Sequence, residues 1–373
     1  MNTLKPAGIK LNGIDGVNPL GFLAAIGTVA ILSQDDRDCI KLAWQHDTTW
    51  VPVLYGCPSK EQICSKLCEN LQGRPVDQKV KQKFRDFYKQ KKELEQRRKH
   101  IQARKLKKDG WEKVEEELKP LREQRDRLRK EWLAALASSV PSPELALGRS
   151  LDCTPEEFRE RAKHILYDPN TQWSSRLSID MLAAFGSDAC CDEKKQVIET
   201  TPFCFIRGSG HQWFLETAQE LMAKVSKARI EQTLFQTWTY RDSGLSMRWD
   251  PSENRQYALS DVDPSDQNTH TEWMANLLAY RGLSLFPGVP SRSGLRVVGW
   301  LDHNESESFF VWPIWEFPAT IDVIRTCLVL ASTLSFAERR ARGIAAVYES
   351  QRVKVGEGSN FKINFSPARL RVV

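Results

Sequence analysis

The residues of this chain with the clearest chemical potential are cations. Between positions 79 and 108 stand Lys79, Lys81, Lys83, Arg85, Lys89, Lys91, Lys92, Arg97, Arg98, Lys99, Arg104, Lys105, Lys107 and Lys108, against three acids, Asp86, Glu93 and Glu95. That is a net of +11, whereas positions 111–130 set seven Lys/Arg against six acids. The whole chain carries +6, so the 321 residues outside 79–130 sum to −5 and one arm holds the surplus. Such a run repels itself unless solvent or an anionic partner neutralises it. Nucleic-acid phosphates suit it, because each neutralised phosphate releases condensed counterions. Contacts of this kind give affinity and position, not sequence choice. The competing reading is a solvated coiled-coil face, or one that meets an acidic protein partner. A first arm almost free of acids favours phosphate.

Two smaller elements carry the same chemistry. Positions 237–259 interleave Trp238, Tyr240, Trp249 and Tyr257 with Arg241, Arg248 and Arg255, so that rings could stack bases while guanidiniums grip phosphates. The same residues suit a structural turn in which Asp250 pairs with an arginine and Trp249 packs inward, and composition alone favours that turn. Arg281 and the loop 290–296, with Arg292 and Arg296, could approach a phosphate backbone or serve as an ordinary hairpin connection.

Catalytic signatures are missing. There is no GxxxxGK[ST] phosphate loop, GxSxG elbow or HExxH helix. The six histidines are isolated. Cys64-x-x-x-Cys68 and Cys190-Cys191 lack a second pair at zinc-site spacing and read as free thiols. Gly356-Glu357-Gly358 is too short for a nucleotide loop. Asp180, Asp188 and Asp192 fall in a helical region, where solvation accounts for them. The expectation is a protein without catalytic residues, metal or cofactor. A divergent metal-dependent nuclease is the enzymatic alternative.

The elements that must position the cations are legible from apolar spacing. Val80, Phe87, Leu94 and Ile101 recur every seven residues. Trp111, Val114, Leu118, Leu121, Leu128 and Trp132 form a 3-4 ladder, with Arg125 filling one rung. Asp109-Gly110 offers turn chemistry between the two arms. The pattern predicts an antiparallel, coiled-coil-like hairpin whose arms are each roughly 40 Å long. Pro120 should kink or restart the second helix.

Elsewhere the pattern is that of a mixed body. Asn18 and Pro19 form a helix start. Leu20, Leu23, Gly27 and Ile31 follow at helical spacing, with Gly21, Ala24, Ala25 and Gly27 leaving room for a close neighbour. Strands are expected at 40–44, 50–54 and 309–315, and helices at 60–71, 156–166, 321–334 and 338–348. Positions 353–355 and 361–365 should close the chain as a β-hairpin. The expected regions are 1–74 (α/β), 75–137 (basic hairpin), 138–155 (Ser/Pro-rich linker), 156–234 (mostly helical) and 235–373 (α+β). The fold class is α+β and helix-rich, a globular body with a projecting antiparallel hairpin.

Composition bounds the rest. A length of 373 residues exceeds one minimal core, and 41% hydrophobic residues exclude wholesale disorder. Twelve tryptophans and sixteen phenylalanines suffice for a substantial core or for stacking platforms. Nine scattered cysteines do not form a disulfide framework, which points to a reducing cytoplasm. Positions 20–32 have the wrong flanks for a secretory leader, and no apolar run reaches the ~18 residues of a membrane span.

Two stretches resemble a known family. Leu11-Asn12-Gly13-Ile14-Asp15-Gly16-Val17-Asn18-Pro19-Leu20-Gly21-Phe22-Leu23-Ala24-Ala25-Ile26-Gly27 resembles the N-terminus of the large subunit of type I-G (formerly I-U) CRISPR effector complexes. Met247-Arg248-Trp249-Asp250-Pro251-Ser252-Glu253-Asn254-Arg255-Gln256-Tyr257-Ala258-Leu259 resembles a second stretch of the same proteins, in the same order. The resemblance implies a non-catalytic subunit bound to guide RNA and to the backbone subunits of the complex. It would recognise the short motif flanking double-stranded target DNA, help open the duplex and support a separate helicase-nuclease, while base pairing reads the sequence. Flanking-motif readers would be Asn, Gln, Arg or Lys at base edges. The basic hairpin matches no family motif. A nucleic-acid-binding scaffold outside CRISPR defence is the alternative.

Overall fold

The computed structural model describes residues 8–34, 37–57, 59–102, 108–167, 176–192, 196–208, 212–253, 270–304, 307–355 and 362–371. Their organisation begins with the first helix, α1 (Pro19–Leu32). The Asn18 side chain accepts from Leu20 N at 2.9 Å, and Pro19 fills the first position, where no donor is needed. All fourteen residues of α1 are buried. The small residues serve the predicted close approach. A Cβ on Gly27 would lie 1.8 Å from the carbonyl oxygen of Leu278, and one on Gly282 2.4 Å from that of Leu23. The helix carrying Leu278 and Gly282 thus lies backbone against backbone with α1.

Around this pair the chain alternates helix and strand. β1 (Ile9–Lys10), β2 (Lys41–His46) and β3 (Trp50–Tyr55) form an antiparallel sheet in the order β1-β3-β2. α2 (Lys60–Leu71) starts at Ser59, whose side chain accepts from Gln62 N. The hairpin follows as α3 (Gln78–Gln102) and α4 (Lys108–Ala137). After it come α5 (Pro155–Tyr167), α6 (Arg176–Phe185), the hairpin of β4 (Gly186–Asp192) and β5 (Val197–Thr200), then α7 (Phe214–Met222) and α8 (Lys227–Phe235). β6 (Asp242–Ser243) pairs with β7 (His270–Thr271), ahead of α9 (Trp273–Gly282), the partner of α1. β8 (Gly288–Ser291) and β9 (Gly294–Val297) form a tight hairpin. The last sheet contains β10 (Trp300–Asn304), β11 (Glu307–Trp315), β12 (Ile344–Val355) and β13 (Lys362–Phe365) in that order, with β14 (Arg369–Leu370) also on β12. α10 (Ile321–Leu330) and α11 (Phe336–Ala341) link β11 to β12. The chain is a helix-rich α+β protein, as its patterning predicts.

One apolar core runs from Leu11 to Phe365 and is built largely of rings. Phe22 of α1 stacks on Trp44 at 5.7 Å and meets Phe310, Trp312 and Trp315 of β11. The tryptophan supply therefore goes chiefly into packing. Buried indole nitrogens are satisfied by carbonyls: Trp312 donates to Gly16 O and Trp315 to Leu42 O.

Several expectations change. The stretch 138–155 is no tether, because Ser142 to Gly148 are buried and Glu144 is fully enclosed. Composition misled here, since Ser and Pro also suit the short 3₁₀ turn Pro143–Ala146. Asp188 and Asp192 lie on strand β4, not on a helix. Asp180 is not solvated but accepts from Arg176 at 2.8 Å and Arg325 at 2.5 Å. The helix expected over 338–348 stops at Ala341. Gly343 takes φ +76°, where an ordinary side chain is strained, and the chain turns into β12 to pair with the aromatic strand β11. The closing hairpin is found, with Arg352 opposite Phe365, though β12 extends well beyond it. α4 continues through Pro120, which is exposed, so the carbonyl freed on the preceding turn faces water. Asp109 and Gly110 belong to the start of α4, and residues 103–107, which join the arms, lie outside the described residues.

Candidate nucleic-acid interface

The seven-residue repeat fixes how α3 presents its cations. Val80, Phe87, Leu94 and Ile101 are buried against α4, so the rest of the helix surface is left to charge. Toward its root the hairpin shares the main core through Val80, Phe87, Trp132 and Leu136. Farther out Leu94, Ile101, Val114 and Leu118 form a separate apolar seam. At 25 residues α3 is about 38 Å long, and its outer half stands off the body.

The positive charge on α3 is largely unopposed. Lys83 reaches Glu131 of α4 at 3.4 Å, and Lys91 reaches Glu95 at 4.0 Å. Both pairs are exposed, where an ion pair contributes about 0–1 kcal/mol. Among the described residues Lys79, Lys81, Arg85, Lys89, Lys92, Arg97, Arg98 and Lys99 make no ion pair. Arg104, Lys105 and Lys107 lie outside the described residues, as does the side chain of Lys108. The second arm behaves differently. Arg122 grips Glu115 through two bonds of 2.6 and 2.9 Å, which hold that carboxyl below its ordinary range. Arg125 pairs with Asp126, and Arg129 with Glu157 at 2.6 and 2.8 Å. The hairpin is therefore electrically two-sided.

Sequence reasoning weighed the hairpin for charge and missed its rings. Lys81, Arg85, Tyr88, Lys92 and Lys99 follow one another at spacings of four, three, four and seven, which places them on one stripe of α3. Tyr88 is exposed and stacks on Phe84 at 5.7 Å, with the Lys92 ammonium 4.9 Å from its ring. Phe84 in turn lies 4.5 Å from the Arg149 guanidinium, which also lies over the Trp213 ring at 3.2 Å. A cation–ring ladder thus runs from the body to an open tyrosine. The Phe84–Tyr88 spacing was a readable signal. Arg149, from the supposed linker, was not.

In the other two basic elements some arginines are buried and others exposed. In the 237–259 stretch Trp249 is fully buried and donates to Phe203 O at 3.0 Å. Among the described residues Asp250 pairs with no arginine, accepting instead from Asn18 Nδ2 at 3.0 Å and Tyr240 OH at 2.9 Å. Arg248 is 9% exposed, with φ +63°, inside that turn, which takes it off the surface. Arg241 is exposed beside β6, and Arg255 lies outside the described residues. Arg281 is buried against Glu144 at 2.8 Å. Arg292, at the tip of the β8–β9 hairpin, and Arg296, on β9, are exposed, and the loop is a connection anchored by Glu199, which accepts from Leu295 N at 2.7 Å.

Burial pushes the thiols of Cys64 and Cys327 up to about 11, so neither is a reactive thiolate. None of the nine cysteines is in a disulfide. Among the described residues no cluster of His, Cys, Asp and Glu could hold a metal ion, and no helix is long and apolar enough to cross a membrane. No protein-family model and no curated protein matches the chain.

Proposed function

We propose that this chain is a non-catalytic large subunit of a guide-RNA-directed DNA surveillance complex of the type I-G CRISPR kind, acting in the cytoplasm. α3 lies along the phosphate backbone of target DNA and holds it while the duplex opens. The observation that carries the reading is the row of α3 cations, most of which make no ion pair among the described residues, since a polyanion supplies the missing countercharge. The two family-like stretches add support, because Asn18 of the first and Asp250 of the second meet in a partly buried hydrogen bond of 3.0 Å. Guide RNA, backbone subunits and a helicase-nuclease are the partners in this reading, and base pairing supplies the sequence choice.

The test is co-purification with guide RNA and the products of neighbouring genes, followed by a shift assay on target DNA. Recovery of a ribonucleoprotein that retards matched DNA supports the assignment. A chain that associates with no CRISPR product but still binds nucleic acid belongs to a scaffold outside that defence. Cleavage of labelled DNA by the purified chain in Mg²⁺ or Mn²⁺ would overturn the non-catalytic role.

A further inference from the structure

At the root of the hairpin, where α3 and α4 meet α7 and the buried stretch Ser142–Gly148, lies a cavity of about 280 Å³. That is near the lower end of the roughly 300–1,000 Å³ typical of small-ligand sites. Phe84 and Trp132 supply aromatic wall, with ring centroids 5.0 Å apart and set edge to face. Lys81 and Arg85 also line it, and both belong to the exposed α3 stripe. Arg149 lines it as well, its charge balanced by Glu216. The remaining polar lining is Glu216 itself and Gln219, the latter 2% exposed with an Nε2 that has no hydrogen-bond partner among the described residues. A buried amide donor left unmade costs roughly 1–3 kcal/mol, so its persistence calls for an occupant that completes it.

The chemistry selects that occupant. It is flat, because the walls are rings. It has an edge of donors and acceptors, because a carboxamide both donates and accepts. It is joined to an anion, because Lys81 and Arg85 make no ion pair among the described residues, although the Lys81 charge acts on the Glu220 carboxyl. A nucleotide within a strand has all three properties, and a strand following the α3 stripe passes Tyr88 before reaching the cavity. We propose that the root cavity is a base pocket, accepting one nucleobase turned out of a single-stranded nucleic acid whose phosphates lie along Lys81, Arg85, Lys92 and Lys99. Phe84 and Trp132 contact the faces and edges of the base, and Gln219 pairs with its hydrogen-bonding edge. The pocket rests on the proposed phosphate grip of α3 and adds to it a contact that needs a base.

The full-length chain is titrated by fluorescence anisotropy with a short DNA strand, its RNA counterpart, and a DNA strand of equal length and charge made of abasic sites. The pocket predicts that the abasic strand binds at least about tenfold more weakly, the scale on which one stacked base acts. Gln219→Leu should lower affinity for the natural strand severalfold, leave the abasic strand unchanged and keep the thermal midpoint, because it deletes an unpaired donor. A preference for DNA or for RNA supports the pocket and names the strand that fills it. Equal binding of natural and abasic strands overturns the pocket while leaving the phosphate grip standing. Failure of every strand to bind overturns both.

Discussion

Asn18 and Asp250, 232 residues apart in sequence, are joined by a hydrogen bond of 3.0 Å that locks the start of α1 to the turn before residue 254. Asn18 uses both ends of its amide, since its oxygen caps α1 by accepting from Leu20 N. Asp250 also accepts from Tyr240 OH at 2.9 Å and Ser252 N at 2.9 Å, and burial together with that carboxylate raises the tyrosine pKa. Asp250→Ala strands these donors at a cost of roughly 1–3 kcal/mol for each one left buried. Denaturant unfolding should show a clear fall in stability, and Asp250→Asn, which keeps one acceptor oxygen, a smaller one.

Replacing Lys91, Lys92, Arg97, Arg98 and Lys99 with glutamate should weaken DNA binding and flatten its salt dependence. Each lost phosphate contact lowers the slope of log affinity against log salt by about 0.9 on duplex DNA. These side chains are exposed and outside the core, so circular dichroism should report an unchanged fold. An unchanged salt slope in the assembled complex would remove the hairpin from DNA binding.

The Arg281–Glu144 pair is enclosed, at 8% and 0% side-chain exposure. Removing one partner leaves an uncompensated buried charge, so Arg281→Ala or Glu144→Ala should each cost about 3–5 kcal/mol. Arg281→Met combined with Glu144→Leu should recover most of the loss. Urea unfolding of the single and double variants measures this directly.

Glu253 brings a pH dependence. Burial raises its carboxyl to about 7, against hydrogen bonds from Ser246 and Thr271 that pull it down. The ordinary value is 4.5, so the folded state holds a proton that the unfolded chain releases earlier. This group's contribution is complete below about pH 4.5 and is lost as pH rises through about 7. Glu253→Gln should abolish that slope, leaving the variant more stable than the parent above pH 7 and nearly equal to it in acid. Thermal midpoints across that range decide the matter.

What could be read from the chain depended on whether the signal was local. The capped start of α1, the limits of α2 and the seven-residue repeat of α3 are set by neighbours in sequence, and all were legible. The switch from α11 to β12 hangs on Gly343 and on the strand waiting to pair, which no local pattern displays. The same holds for Arg149 and Gln219, whose meaning arises only where α3 and α7 converge. Arg248 could be read either way, because an arginine beside aromatics looks alike on a surface and in a buried turn.

The division of the hairpin into two apolar clusters has a mechanical consequence. Leu94, Ile101, Val114 and Leu118 touch one another but not the main core, so the outer hairpin can open and close without loosening the rings around Phe22. Its amides should exchange with deuterium well before those of α1. An arm built this way can change length by whole heptads while its anchorage stays the same, which lets reach and stability vary separately.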